Sequence, residues 1–132
     1  MSVKLNTRQV GDVNVIEVAG RITLGEGSST LRESIRDRVA KGNKKILLNL
    51  AEVSYIDSSG IGELVSGFTT VTNQGGHLKL LNLTKRVNDL LQITKLYTVF
   101  EIFEDEASAI RSFVGKASRR AMGFFSTLPG SF

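Results

Sequence analysis

The residues best placed to do chemistry lie in one run, Val53-Ser54-Tyr55-Ile56-Asp57-Ser58-Ser59-Gly60-Ile61-Gly62-Glu63-Leu64, where an apolar strand hands over to a helix. In α/β proteins the carboxyl ends of sheet strands usually carry the site. This junction offers two hydroxyls (Ser58, Ser59), a carboxylate (Asp57) and two glycines, Gly60 and Gly62, read as steric clearance for another backbone. The plainest use of either serine is an N-cap, its oxygen accepting from the free amides of the following helix. Ser59 is the expected cap. Asp57 has two roles open to it: orienting the Ser58 hydroxyl in a transfer reaction, or capping the same helix.

Catalytic alternatives find little support. A serine hydrolase needs G-x-S-x-G, and neither Ser58 nor Ser59 has glycine two residues before it. With no cysteine and His77 as the single histidine, there is no disulfide framework, thiolate site or two-histidine metal motif. His77 follows Gly75-Gly76 and reads as an exposed turn residue. Gly25-Glu26-Gly27 lacks the third glycine of a dinucleotide fingerprint, and no Gly-Lys-Ser/Thr occurs. An aspartyl-phosphate receiver domain is the stronger rival, because Asp57 also follows a central strand. Its Mg²⁺ site normally draws on an acidic pair after the first strand, whereas Asp12 and Glu17 are not adjacent. The chain therefore reads as non-enzymatic, with no metal and no cofactor of its own.

Hydrophobic periodicity supplies the scaffold that must position this junction. Val3, Leu5 and Thr7 alternate with polar residues, and after Gly11-Asp12 a second alternation runs through Val13, Val15 and Ala19, which predicts a hairpin. Gly25 to Thr30 breaks the pattern as a loop; Leu31, Ile35 and Val39 then predict an amphipathic helix ending near Gly42. Ile46 to Leu50 reads as a covered strand, and Ile61, Leu64, Val65, Phe68 and Val71 as a helix stopped by Gly75-Gly76. A strand from Leu78 to Leu83, a short helix on Val87, Leu90, Leu91 and Ile93, a last strand from Val99 to Phe103 and a final helix on Ala107, Ile110, Phe113 and Val114 complete the pattern. The order β-β-α-β-α-β-α-β-α predicts one α/β domain with a mixed β-sheet and crossover α-helices. Gly20-Arg21-Ile22-Thr23 would then end the second strand on the same edge as Ser58, with the Gly25 to Thr30 loop either completing that surface or simply connecting.

Asp57-Ser58-Ser59-Gly60-Ile61-Gly62, after a Leu-Asn-Leu strand and before an amphipathic helix, resembles the signature of the STAS family, in particular the bacterial anti-sigma-factor antagonists. The resemblance spans about residues 3 to 115 and takes in the element order, Gly20 after the second strand and Gly75-Gly76 before the fourth. It implies a STAS domain over residues 1–115 that binds an anti-sigma factor which is also a serine kinase, freeing the sigma factor. Phosphorylation ends the binding, and a phosphoserine phosphatase restores it. On this sequence the implied acceptor is Ser58, with Asp57, Ser59, Gly60, Gly62, Arg21 and Thr23 around it in the partner-binding surface. The alternative within the same fold is a docking module of a stress-signalling scaffold or of a membrane transport system, since fold alone does not fix function.

The chain has 132 residues and 17 Lys+Arg against 13 Asp+Glu, a formal net charge of +4. Residues 116–132 hold Lys116, Arg119 and Arg120 and no acid, so the rest carries 14 bases against 13 acids. Such a near-neutral body lacks the clustered basic face of counterion-driven nucleic-acid binding, and no direct nucleic-acid partner is expected. The longest apolar run, Ile46-Leu47-Leu48, is far below the ~20 residues of a membrane span. Met-Ser-Val-Lys-Leu-Asn has no signal-peptide core, so a cytoplasmic protein is expected. In the basic/aromatic extension 116–132, Arg119 and Arg120 precede Phe124, Phe125, Leu128 and Phe132, which fits peripheral membrane contact or a partner-binding peptide. Three charges and one aromatic cluster favour the plainer reading, a helix running to about Met122 and a frayed end.

Overall fold

The computed structural model describes residues 3–113. Along the chain come β1 (Val3–Val10), β2 (Val13–Ile22), α1 (Glu26–Ala40), β3 (Lys45–Ile56), α2 (Ser58–Asn73), β4 (His77–Leu81), α3 (Lys85–Ile93), a 3-10 turn (Leu96–Thr98) and β5 (Ile102–Phe103). A last helix, α4, follows over 106–113. The strands form one five-stranded sheet in the order β1-β2-β3-β4-β5. β1 and β2 are the antiparallel hairpin, with Val10 opposite Val13, and the other neighbours run parallel. The mixed sheet and the element order are those the periodicity predicts.

Two apolar layers hold the sheet. On one face Ile16, Val18, Ile22, Ile46, Leu48 and Leu50 pack against Leu31 and Ile35 of α1, Ile61, Leu64 and Val71 of α2, and Val87 and Leu91 of α3. Each such buried side chain contributes about 1.5–3 kcal/mol. On the other face Val13, Val15, Leu47 and Leu81 are covered by Ala109 and Phe113 of α4. This double cover is why Ile46-Leu47-Leu48 is apolar without alternation.

α4 is also held by charge. Lys79, 2% exposed, donates from Nζ to Ser112 Oγ at 2.8 Å, lies 3.2 Å from Glu101 Oε1 and sits 4.6 Å from the Phe113 ring centroid. A buried ammonium is tolerated only with partners of this kind. Arg8 of β1 forks onto Glu106, with Nη1 to Oε2 at 2.9 Å, and also reaches Glu17 at 3.0 Å. These bonds push the Arg8 guanidinium above its ordinary value and hold the Glu106 carboxyl below the usual carboxylate range.

The structure corrects five local expectations. The segment Gly25 to Thr30 is no loop: α1 begins at Glu26, and Ser28 donates to Thr23 O from both its N–H (3.0 Å) and its Oγ (2.9 Å). A Cβ at Gly27 would lie 2.6 Å from Arg21 O, so only glycine lets the helix start this close to the end of β2. The last strand does not run from Val99. Lys95 turns left-handed at φ 63°, and Phe100 is buried edge-on to Phe68 at 5.4 Å, so only Ile102 and Phe103 pair, with Leu80 and Leu81. Ile93, expected on the apolar face of α3, is 76% exposed. His77 opens β4 and is half-buried, and Gly20 lies within β2 instead of after it. Val114 and the extension 116–132 lie outside the described residues.

Candidate functional site at the β3–α2 junction

β3 ends at Ile56 and α2 begins at Ser58, which leaves Asp57 as the single connecting residue, in extended conformation (φ −110°, ψ −174°). Its side chain does the capping. Oδ1 accepts from the Gly60 N–H at 2.9 Å, Oδ2 accepts from the Leu24 N–H at 3.2 Å, and its own N–H donates to Ile22 O at 3.3 Å. One carboxylate thus satisfies a free helix amide and ties the end of β2 to the start of α2. These amides, Gly60 first and then Leu24 and Ser59, hold the Asp57 carboxyl below the usual carboxylate range against the opposing effect of burial. The capping role left open for Asp57 is the one it plays, and Ser59 is not the cap.

Ser58 is therefore released from structural duty. It is exposed in the first turn of α2, and among the described residues its hydroxyl has no hydrogen-bond partner; neither has that of half-buried Ser59. The two glycines differ. A Cβ at Gly60 would lie 2.2 Å from Ile22 O and 2.6 Å from Ile56 Cγ1, whereas one at Gly62 would meet nothing within 4 Å. Clearance at Gly60 serves the fold; Gly62 is a bare point on the exposed surface.

Of the other residues expected at the site, Thr23 and Arg21 end up beside Asp57 because β2 pairs with β3 through Arg21↔Tyr55 and Ile22↔Ile56. Thr23 contributes its carbonyl to α1, as above, and Arg21 is exposed. Three residues at this edge were missed. Leu24 is an apolar side chain left 79% exposed. Tyr55 carries the guanidinium of Arg21 at 4.7 Å from its ring centroid and that of Arg86, from α3, at 4.5 Å. No spacing joins residues 21, 55 and 86. The only local signal was an aromatic at the polar end of a strand, two residues before the motif. Behind the site, Arg32 of α1 bonds Glu63 of α2 (Nη2 to Oε2, 2.9 Å), which fixes the two helices to one another. A separate groove of about 420 Å³, lined by Lys4, Asn6, Glu17, Ala19, Asn49 and Ala51 among others, lies on the α4 side of the sheet and takes no part in the junction.

Among the described residues no group of three or more His, Asp or Glu side chains converges on a metal position, and no helix is long and apolar enough to cross a membrane. The fold and the junction are those of a small α/β domain in which a capped helix start follows the end of the third strand. The chain belongs to the STAS family: the STAS domain matches residues 4–109, and the family is one of non-enzymatic binding domains. This removes the receiver-domain reading. The anti-sigma-B factor antagonist of Bacillus subtilis is 33% identical over 102 residues, 77% of this chain and 92% of its own length. The structure of the anti-sigma factor antagonist SpoIIAA in its unphosphorylated form superposes with a TM-score of 0.65 at 22% identity, covering 85% of this chain and 99% of that one. The Bacillus cell fate determinant SpoIIAA in its phosphorylated form gives 0.66 at 22% identity, over 83% and 98%. At that identity the two structures speak for the fold alone.

Proposed function

We propose that this chain is an anti-sigma factor antagonist that works by reversible binding in the cytoplasm. With Ser58 unmodified it captures an anti-sigma factor that is also a serine kinase, and the sigma factor is released. The kinase then moves the γ-phosphoryl group of ATP to Ser58 Oγ, the Oγ–P bond forming as ADP leaves and the serine proton passes to a base, and capture ends. A phosphoserine phosphatase hydrolyses the ester and restores binding. ATP and Mg²⁺ belong to the kinase. Residues 1–115 form the domain, with 116–132 an appended extension.

The observation that carries this reading is the exposed, unbonded Ser58 hydroxyl in the first turn of α2, beside a carboxylate already committed to capping. A phosphate there adds a charge of about −1.5 to −2. Within the folded domain the helix dipole tolerates it and water solvates it. Across a partner interface the same group is desolvated and stands next to Asp57, so binding is lost while the fold stays. Ser58, Ser59, Asp57, Gly62, Arg21 and Thr23 form the contact surface, and Gly60 shapes it from beneath. The relatives' names support the antagonist role.

The test is incubation of the full chain with candidate anti-sigma kinases and ATP, with the phosphate located by mass spectrometry and capture measured by pull-down and calorimetry. Ser58→Ala should abolish phosphorylation and keep binding, and Ser58→Asp should weaken capture. Equal affinity of the wild type and Ser58→Asp for the kinase would sink the reading.

A further inference from the structure

Arg21 of β2 and Arg86 of α3 both rest on the ring of Tyr55, their guanidinium carbons 4.7 and 4.5 Å from its centroid. An aromatic face attracts a cation but leaves the N–H donors of the guanidinium unused. Both arginines are exposed, and among the described residues neither has an ion-pair or hydrogen-bond partner. Their neighbours are different. Lys85, next to Arg86, pairs with Asp89 at 2.9 Å, and Arg32 pairs with Glu63. Two like charges gathered on one ring, with no acid between them, form a receptor for an anion with several oxygens.

Asp57, the nearest carboxylate along the chain, is turned to the Gly60 and Leu24 amides instead. Ser58 lies three residues after Tyr55, within about 11 Å from Cα to Cα. Asp57 N–H on Ile22 O pins that turn beside the strand that carries Arg21. Taking Ser58 as the phosphoacceptor of the proposed function, we propose that Arg21 and Arg86 are the receptor for the phosphate on Ser58 of the same chain. The long side chains leave the Tyr55 ring and close on the phosphate oxygens. Phosphorylation then alters the surface twice: it adds an anion, and it withdraws two cations and uncovers an aromatic ring.

The full chain carrying phosphoserine at position 58, introduced during translation so that no kinase is needed, is titrated at low salt by phosphorus NMR. The second proton of an unhindered phosphoserine leaves near pH 6. The start of α2 lowers that midpoint and Asp57 raises it; Glu63 on Arg32, Glu26 in the first turn of α1 and Lys85 on Asp89 also border the region. All of these stay constant across the variants, so the comparison isolates the arginines. The wild-type midpoint should lie about half a pH unit or more below that of the double variant Arg21→Ala, Arg86→Ala. Each single variant should fall between, and lysine at both positions should recover part of the shift. Equal midpoints in the wild type and the double variant, with unchanged far-ultraviolet circular dichroism, overturn the proposal. If that double variant has also lost kinase capture, the arginines serve carboxylates of the partner instead. A kinase that leaves Ser58 unmodified counts against the proposed function and not against this titration.

Discussion

Gly60 and Gly62 stand two residues apart in one motif, and the structure gives opposite signs to the same substitution at each. In Gly60→Ala the added Cβ would meet Ile22 O at 2.2 Å and Ile56 Cγ1 at 2.6 Å. The isoleucine side chain can rotate, but the carbonyl belongs to the end of β2 and also accepts the Asp57 N–H at 3.3 Å. Relief therefore requires β2 and α2 to move apart, which strains the Asp57 bonds as well. Overpacking of this kind costs about 1–3 kcal/mol. In Gly62→Ala nothing lies within 4 Å, and replacing an exposed helical glycine gains about 0.5–1 kcal/mol. With a urea m-value of about 1.5 kcal/mol/M, a 2 kcal/mol loss lowers the unfolding midpoint by ~1.3 M, and the gain at Gly62 raises it by ~0.3–0.7 M. Urea titration by far-ultraviolet circular dichroism measures both, since the chain has no tryptophan for fluorescence. A Gly60→Ala midpoint equal to wild type, or equal losses at both glycines, refutes the reasoning. Gly62→Ala, stable and folded, is then the clean probe of whether a partner needs the bare backbone there.

The remaining predictions concern the cap and the buried lysine. Asp57→Ala should lose about 1–2 kcal/mol at neutral pH, because the Gly60 and Leu24 amides lose their acceptor, whereas Asp57→Asn should retain most of the cap. The folded Asp57 carboxyl lies below its unfolded value, so its contribution is complete above pH ~4 and is lost as pH falls through the folded value; urea midpoints between pH 5 and 2.5 should fall less steeply in Asp57→Asn. Asp12, Asp105 and Glu106 are lowered too and will keep part of the acid sensitivity in that variant. Lys79→Met should unfold within about 1 kcal/mol of wild type, since its partner Glu101 is half exposed and can turn to water, while Lys79→Ala should lose about 2–4 kcal/mol to the cavity beneath α4. Equal losses in the two variants would show that the charge, not the volume, holds α4.

The hairpin, the covered third strand and the helix after Ser58 were legible because each is long and its apolar period is clean. The start of α1 was hidden because Gly27, Ser28, Ser29 and Thr30 are weak helix formers. What makes them helical is tertiary: the close approach of Gly27 to Arg21 O and the bonds of Ser28 to Thr23 O. β5 was overread because Val99 and Phe100 look strand-like, yet Phe100 is spent on the core against Phe68. At the site, the motif located the junction but could not say which of three adjacent oxygen-bearing side chains caps the helix. That depends on the Leu24 N–H, which arrives from another strand end and completes the grip on Asp57.

The identity of the cap decides how a single hydroxyl can act as a switch. If Ser58 or Ser59 capped α2, phosphorylation or mutation there would disturb the first turn of the helix, and a change in binding could not be told from a change in fold. With Asp57 in that role, both carboxylate oxygens are taken by backbone amides, and the Ser58 Oγ carries none of the structure. The same saturation bears on phosphoryl transfer. A carboxylate that accepts two amides and is held below its usual range is a weak base toward the serine proton. On the proposed reading, activation of Ser58 must then be supplied by the kinase, as the catalytic-loop aspartate does in protein kinases. The domain contributes a rigid, correctly presented hydroxyl and leaves the chemistry to its partner.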